Sequence, residues 1–251
     1  MSDTATVSEI TVPMVPDFGT LARDRLESML AASEQVLEGQ RVLHKGGLNI
    51  VGELLRGAET FYEYNHYPDS DVFDVDTHAQ YYYHAHPGRP GEHGHFHTFL
   101  RRPGMPPGVE PVPYDGTEEW PQGDEALSHL IAISMDPYGL PIGLFATNRW
   151  VTAEVWYPAD DVIRMLDSFV IDHAFPSWPV NLWVSAMCRL FRPQIEALLR
   201  QRDEIVADWA IAHPGVDVFE DRGLEVTGQL DISVERQIAM VRTALGYNER
   251  V

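Results

Sequence analysis

The sequence predicts an α+β fold, with an antiparallel β-sheet of hairpins at about residues 76–157 packed with N- and C-terminal helices. Two observations predict it. Apolar residues recur at helical spacing towards both ends of the chain, and the stretch between them is a block of alternating or β-rich runs broken by Pro and Gly. Helices, then strands, then helices is the order of an antiparallel sheet carrying helices, not of an alternating α/β fold.

Residues 1–16, with two prolines and no period, read as a flexible arm. Asp17 is suited to cap a helix carrying Leu21, Leu26, Met29, Leu30, Val36 and Leu37, with Gly39 as its stop. A shorter helix after Asn49 ends at Gly57. Asp69, Asp71, Asp74 and Asp76 lack the Gly and the final Glu of a calcium loop, so they read as a solvated loop. Strands are expected within 76–101, 127–150 and 152–157, with Asp136-Pro137-Tyr138-Gly139 as a turn between two of them. Asp160 and Asp161 open a further helix, a stretch from 181 to 209 is split by Pro193, and 224–232 is a last strand. Ser233 caps a final helix that stops before Gly246. The chain's 251 residues, 44% of them hydrophobic, suffice for one core, so 17–251 is expected to be a single metal-binding α+β domain.

Charge narrows the function classes. Eighteen Lys and Arg against 38 Asp and Glu give a net charge of −20, which repels a phosphate backbone and an anionic membrane alike. One cysteine, Cys188, excludes an intrachain disulfide, and no run reaches the roughly 18 apolar residues of a membrane span. The expectation is a cytoplasmic protein whose partner is a small-molecule substrate, without nucleic acid or membrane, with homo-oligomer formation left open. Phosphate loops, nucleophile elbows and paired CxxC motifs do not occur.

The strongest motif is YYYHAHPGRPGEHGHFHTFL. Five of the eleven histidines, His84, His86, His93, His95 and His97, fall within it. On a strand His84 and His86 point one way, and so do His93, His95 and His97 on the next. A hairpin closing symmetrically about PGRPGE sets His86 opposite His93, His84 opposite His95 and Tyr82 opposite His97. Paired Cβ atoms then lie about 4.5–5.5 Å apart, close enough for imidazoles to share an ion. A slip of one residue would separate the two sets. All five are therefore metal-ligand candidates. An imidazole set without thiolates points to Fe, Cu, Zn or Ni rather than Mg or Ca, and the lack of cysteines argues against a closed structural zinc site.

HAH followed by Glu92 resembles the first metal motif of cupins, in which two histidines and a glutamate bind iron, manganese or nickel, although the interval to Glu92 is longer. The HxH with a further strand histidine resembles the zinc site of α-class carbonic anhydrases. The His-rich hairpin together with the Asn148-Arg149-Trp150-Val151-Thr152 segment resembles an uncharacterised bacterial family, and that resemblance implies no activity.

Other residues complete the expected site. Tyr82 shares the histidine face and is the first candidate for handling a proton. Glu92 is the second, as a ligand or as an acceptor for an imidazole N–H. Arg149 is a candidate two-point clamp for a substrate carboxylate. His129 reads as a core histidine or a fourth ligand, whereas His44, His66, His173 and His213 stand alone. Together these predict a metal-dependent enzyme, first a non-haem oxidoreductase using dioxygen on a small organic substrate, with Tyr82, Trp150 and Trp156 as walls. The alternatives are a zinc-dependent hydrolase or hydratase, and metal storage or sensing without turnover.

Overall fold

A computed structural model describes residues 15–58 and 60–247; the expected arm at 1–16 lies, apart from its last two residues, outside them. The architecture is α+β. Helix α1 (Arg23–Lys45) and the short α2 (Ile50–Leu54) precede five strands, β1 (Tyr67–Phe73), β2 (Ala79–His84), β3 (Gly94–Arg101), β4 (Leu127–Met135) and β5 (Pro141–Thr147). Then come α3 (Arg149–Thr152), α4 (Ala159–Met165), α5 (Trp178–Leu190), α6 (Arg192–Ala212), β6 (Val226–Asp231) and α7 (Val234–Ala244). All six strands form one antiparallel sheet in chain order.

Local chemistry explains most boundaries. Asn49 accepts the Gly52 N–H at the start of α2, Ser233 accepts that of Arg236 at the start of α7, and Pro193 sits in the first turn of α6, where its missing N–H costs nothing. Asp136 accepts the N–H groups of Tyr138 and Leu140, closing the β4–β5 turn.

Several boundaries differ from expectation. Asp17 caps only a single 3-10 turn, and α1 runs through Gly39 to Lys45. A Cβ at Gly39 would lie 3.1 Å from the Pro179 carbonyl oxygen, so this glycine lets α1 and α5 approach rather than ending a helix. The acidic loop holds most of strand β1; Asp74, buried, accepts the N–H groups of Asp76, Thr77 and Asp172. Residues 149–152 form α3 instead of continuing a strand, because Asn148 caps them and Ala153 closes them in the left-handed region.

The two sheet faces have different tasks. Tyr81, Tyr83, Phe96, Ile131, Ile133 and Leu144 belong to the main core with Trp183 of α5. Tyr81 donates from its hydroxyl to Asn181 Oδ1 at 2.6 Å, tying β2 to α5. The opposite face carries Tyr82, His84, His95, His97 and Phe145.

Candidate metal centre

β2 and β3 pair Tyr82 with His97 and His84 with His95, the register expected from the sequence. Facing residues of an antiparallel pair share a side, so these four converge. Gly94 permits the approach: a Cβ there would lie 2.5 Å from the His84 carbonyl oxygen and 2.6 Å from the Tyr83 hydroxyl. A ligating nitrogen from each of His84, His95 and His97 lies within 4.8 Å of the other two.

His86 and His93 do not face each other as expected. β2 ends at His84 and β3 begins at Gly94, so neither residue belongs to a regular strand and alternation no longer governs them. The His86 ring stays beside the trio, 5.6 Å from His84 and 5.0 Å from His95 between centroids. His93 turns to the core face, where its Nδ1 lies 2.7 Å from the Tyr83 hydroxyl and its ring packs on Phe61.

Burial sets the protonation states. His95 and His97 are fully enclosed and His84 is half-buried. Desolvation, followed by repulsion from the neighbouring imidazoles, pushes His84 down to about 3 and His97 well below the ordinary histidine range. Burial also lowers His95. The imidazoles are therefore neutral, the form that binds metal.

Neighbours then fix which nitrogen presents a lone pair. Glu92 Oε1 lies 2.5 Å from His95 Nδ1, and Arg89 Nε donates to Glu92 Oε2 at 2.8 Å. Burial opposes ionisation of Glu92, but the hydrogen bonds from His95 and Ser134 and the charge of Arg89 hold its carboxyl down at about 2. An ionised Glu92 accepts a hydrogen bond from His95 Nδ1–H, leaving His95 Nε2 as a lone pair 2.8 Å from His84 Nε2. His84 and His95 would thus present adjacent ring nitrogens to an ion. His97 Nδ1 lies 2.9 Å from Nε2 of His129, whose ring also hydrogen-bonds the Ile131 backbone. With the His129 proton engaged there, His97 Nδ1–H donates and its Nε2 is free. His129 thus stands behind a ligand candidate, and burial pushes it down to about 3. The donor set fits a transition ion, with supporting groups behind two of the three rings.

Two further groups adjoin the trio. The Tyr82 ring is buried with a pKa raised by desolvation and by the charges of Asp71 and Glu154, so its phenol stays protonated. His66, which stands alone in the sequence, stacks on Tyr82 at 3.6 Å between centroids, meets His84 edge-on, and has Nδ1 2.9 Å from Asp71 Oδ1. No spacing signal marks it; the pairing of Tyr67 with Tyr83 at the start of β1 brings the preceding His66 beside Tyr82 and His84. Arg149 is held elsewhere. It pairs with Glu220 and donates from Nε to the Glu154 carbonyl oxygen at 2.9 Å. Outward from His84 and His86 opens a cavity of about 730 Å³, lined also by Arg89, Trp150, Trp209 and Arg222.

Residues 30–232 match a family described as Domain of unknown function (DUF6969). The chain belongs to this family. The DUF6969 match spans the histidine hairpin and the segment at 148–152, the two features that resemble an uncharacterised family in the sequence; no other family is identified. No curated protein and no solved structure matches the chain. No described helix is long and apolar enough to cross a membrane.

Proposed function

We propose that the chain is a metal-dependent enzyme whose His84, His95 and His97 hold one transition ion, and that it oxidises a small organic substrate with dioxygen. The observation that carries the metal reading is the trio itself: three neutral imidazoles with nitrogens within 4.8 Å, on one sheet face. Iron, copper and zinc all suit such a donor set. When bound, the ion supplies an open coordination position and, if it is iron or copper, an electron couple for dioxygen.

The chain's own residues supply the rest. Glu92 and His129 orient His95 and His97 and increase their basicity. Tyr82, Phe99 and Phe145, all buried around the trio, exclude water from its inner side. The Tyr82 hydroxyl donates a hydrogen bond or a proton to a substrate oxygen. One observation favours a second reading, zinc-dependent hydrolysis or hydration. The His66 side chain is 40% exposed, backed by Asp71 and set against His84, which suits it to pass a proton between the site and solvent.

Elemental analysis of protein purified without a polyhistidine tag tests both. The expected outcome is one ion per chain, lost in the His95→Ala, His97→Ala double variant; full retention there rejects the trio. Iron or copper supports oxidation and zinc alone supports the hydrolytic reading.

A further inference from the structure

The cavity in front of His84 and His86 has a composition at odds with the rest of the molecule. The chain carries a net charge of −20. The cavity lining nevertheless contains two guanidiniums, Arg89 and Arg222, against one carboxylate, Glu225. Arg89 is ion-paired to Glu92 through Nε, but both guanidiniums keep Nη groups without a partner among the described residues. Arg89 is held in place by its Nε bond to Glu92 and by lying 3.8 Å above the Phe145 ring, and among the described residues nothing hydrogen-bonds to its two Nη groups. Arg222 lies 4.2 Å above the Trp150 ring and forms no ion pair among the described residues. The indoles of Trp150 and Trp209 are both tied through their N–H groups, to the Leu224 carbonyl oxygen and to Asp221 Oδ2 at 2.8 Å each. Their polar edges are satisfied, and with Arg222 over one face of Trp150 and His213 stacked on one face of Trp209, what they offer the cavity is their remaining carbon surface.

We propose that this cavity binds a small planar carboxylate, its anionic group on the Arg89 and Arg222 guanidiniums and its apolar body against Trp150 and Trp209, as the substrate of the metal centre. The proposal rests on the metal reading, because it takes the cavity as the approach to His84. Its volume, about 730 Å³, lies within the range of small-molecule sites. Guanidinium presents paired N–H groups in the geometry a carboxylate accepts, and a preorganised Arg loses little freedom on binding. The anchoring group proposed here is Arg222 with Arg89; Arg149, the clamp expected from the sequence, is paired with Glu220.

Tryptophan fluorescence titration of the whole protein with benzoate, and with benzamide as its neutral isostere, tests the proposal. Benzoate is expected to bind at least roughly tenfold more tightly than benzamide, and Arg222→Gln to remove that preference. Arg222 is exposed, so its replacement leaves folding intact; Arg89→Gln is expected to act in the same direction. Equal binding of the two probes, no binding, or an undiminished preference in both variants overturns the proposal. The metal reading is judged separately by metal content: benzoate selectivity persisting in a chain that holds no metal leaves the anion site standing and removes only its role as the approach to an ion.

Discussion

Glu92 sits in a loop, yet it determines the chemistry of a strand residue. Its carboxylate, held ionised at about 2, keeps a proton on His95 Nδ1 and so commits His95 Nε2 to the site. Glu92→Gln keeps the shape but lets the His95 proton shift from Nδ1 to Nε2, so metal affinity is expected to fall roughly 10–100-fold, measured by competition with a chelator of known affinity. An unchanged affinity would show that His95 needs no orienting partner. Tyr82 separates from it. Tyr82→Phe keeps the ring that stacks on His66 and removes only the hydroxyl, so metal content should stay at the wild-type level while turnover, once a substrate is known, falls by about 10²–10⁴-fold. Loss of metal in Tyr82→Phe would instead make the phenol part of the ligand shell.

At the scale of the element, the hairpin of β2 and β3 is what makes a cluster out of a motif. Its register was legible: alternate histidines on two strands around an even loop imply His84 opposite His95, and that pairing occurs. The ends were not legible. Strand alternation holds only where the backbone is extended and paired, and neither His86 nor His93 lies in a regular strand, so His93 went to the core face. Gly94 marks the boundary. A methyl there meets the His84 carbonyl and the Tyr83 hydroxyl, so Gly94→Ala is expected to cost about 1–3 kcal/mol by overpacking and to lower metal content, because His95 adjoins it. Thermal melts of the metal-free and metal-loaded variant check this. Full metal content with unchanged melting would show that the hairpin tolerates displacement at its base.

Across the whole molecule, one buried charge centre couples the site to stability. Glu154 is fully buried, accepts the His129 backbone N–H at 2.5 Å, and is pushed up to about 7 by burial, against the opposing pull of Arg202. The folded state thus keeps a proton that the unfolded chain releases above about 4.5, and stability falls as pH rises from that value through 7 before levelling. Glu154→Gln removes this term. Relative to wild type, the variant is expected to gain roughly 3 kcal/mol between about pH 5 and about pH 8, read from urea unfolding of chelator-treated protein. A pH-independent difference would place the Glu154 carboxyl in its ordinary range despite its burial.

By itself the sequence determined the α+β class, the helix start after Asn49, the cap at Ser233, the break at Pro193, and the histidine-rich hairpin, because each depends on neighbours within a few residues or on a period of two along a strand. Tertiary structure alone decided the rest. Gly39 is a contact between α1 and α5 because its partner lies far along the chain. His66, just before β1, joins the site because that strand, whose acidic composition reads as loop, pairs at the sheet edge. His129 became a support for His97 through a bulge between β3 and β4 that realigns one residue against the next strand. Arg149 meets Glu220 and Arg222 lines a cavity for the same reason: which guanidinium finds a carboxylate within the chain depends on distances between elements that no local pattern encodes.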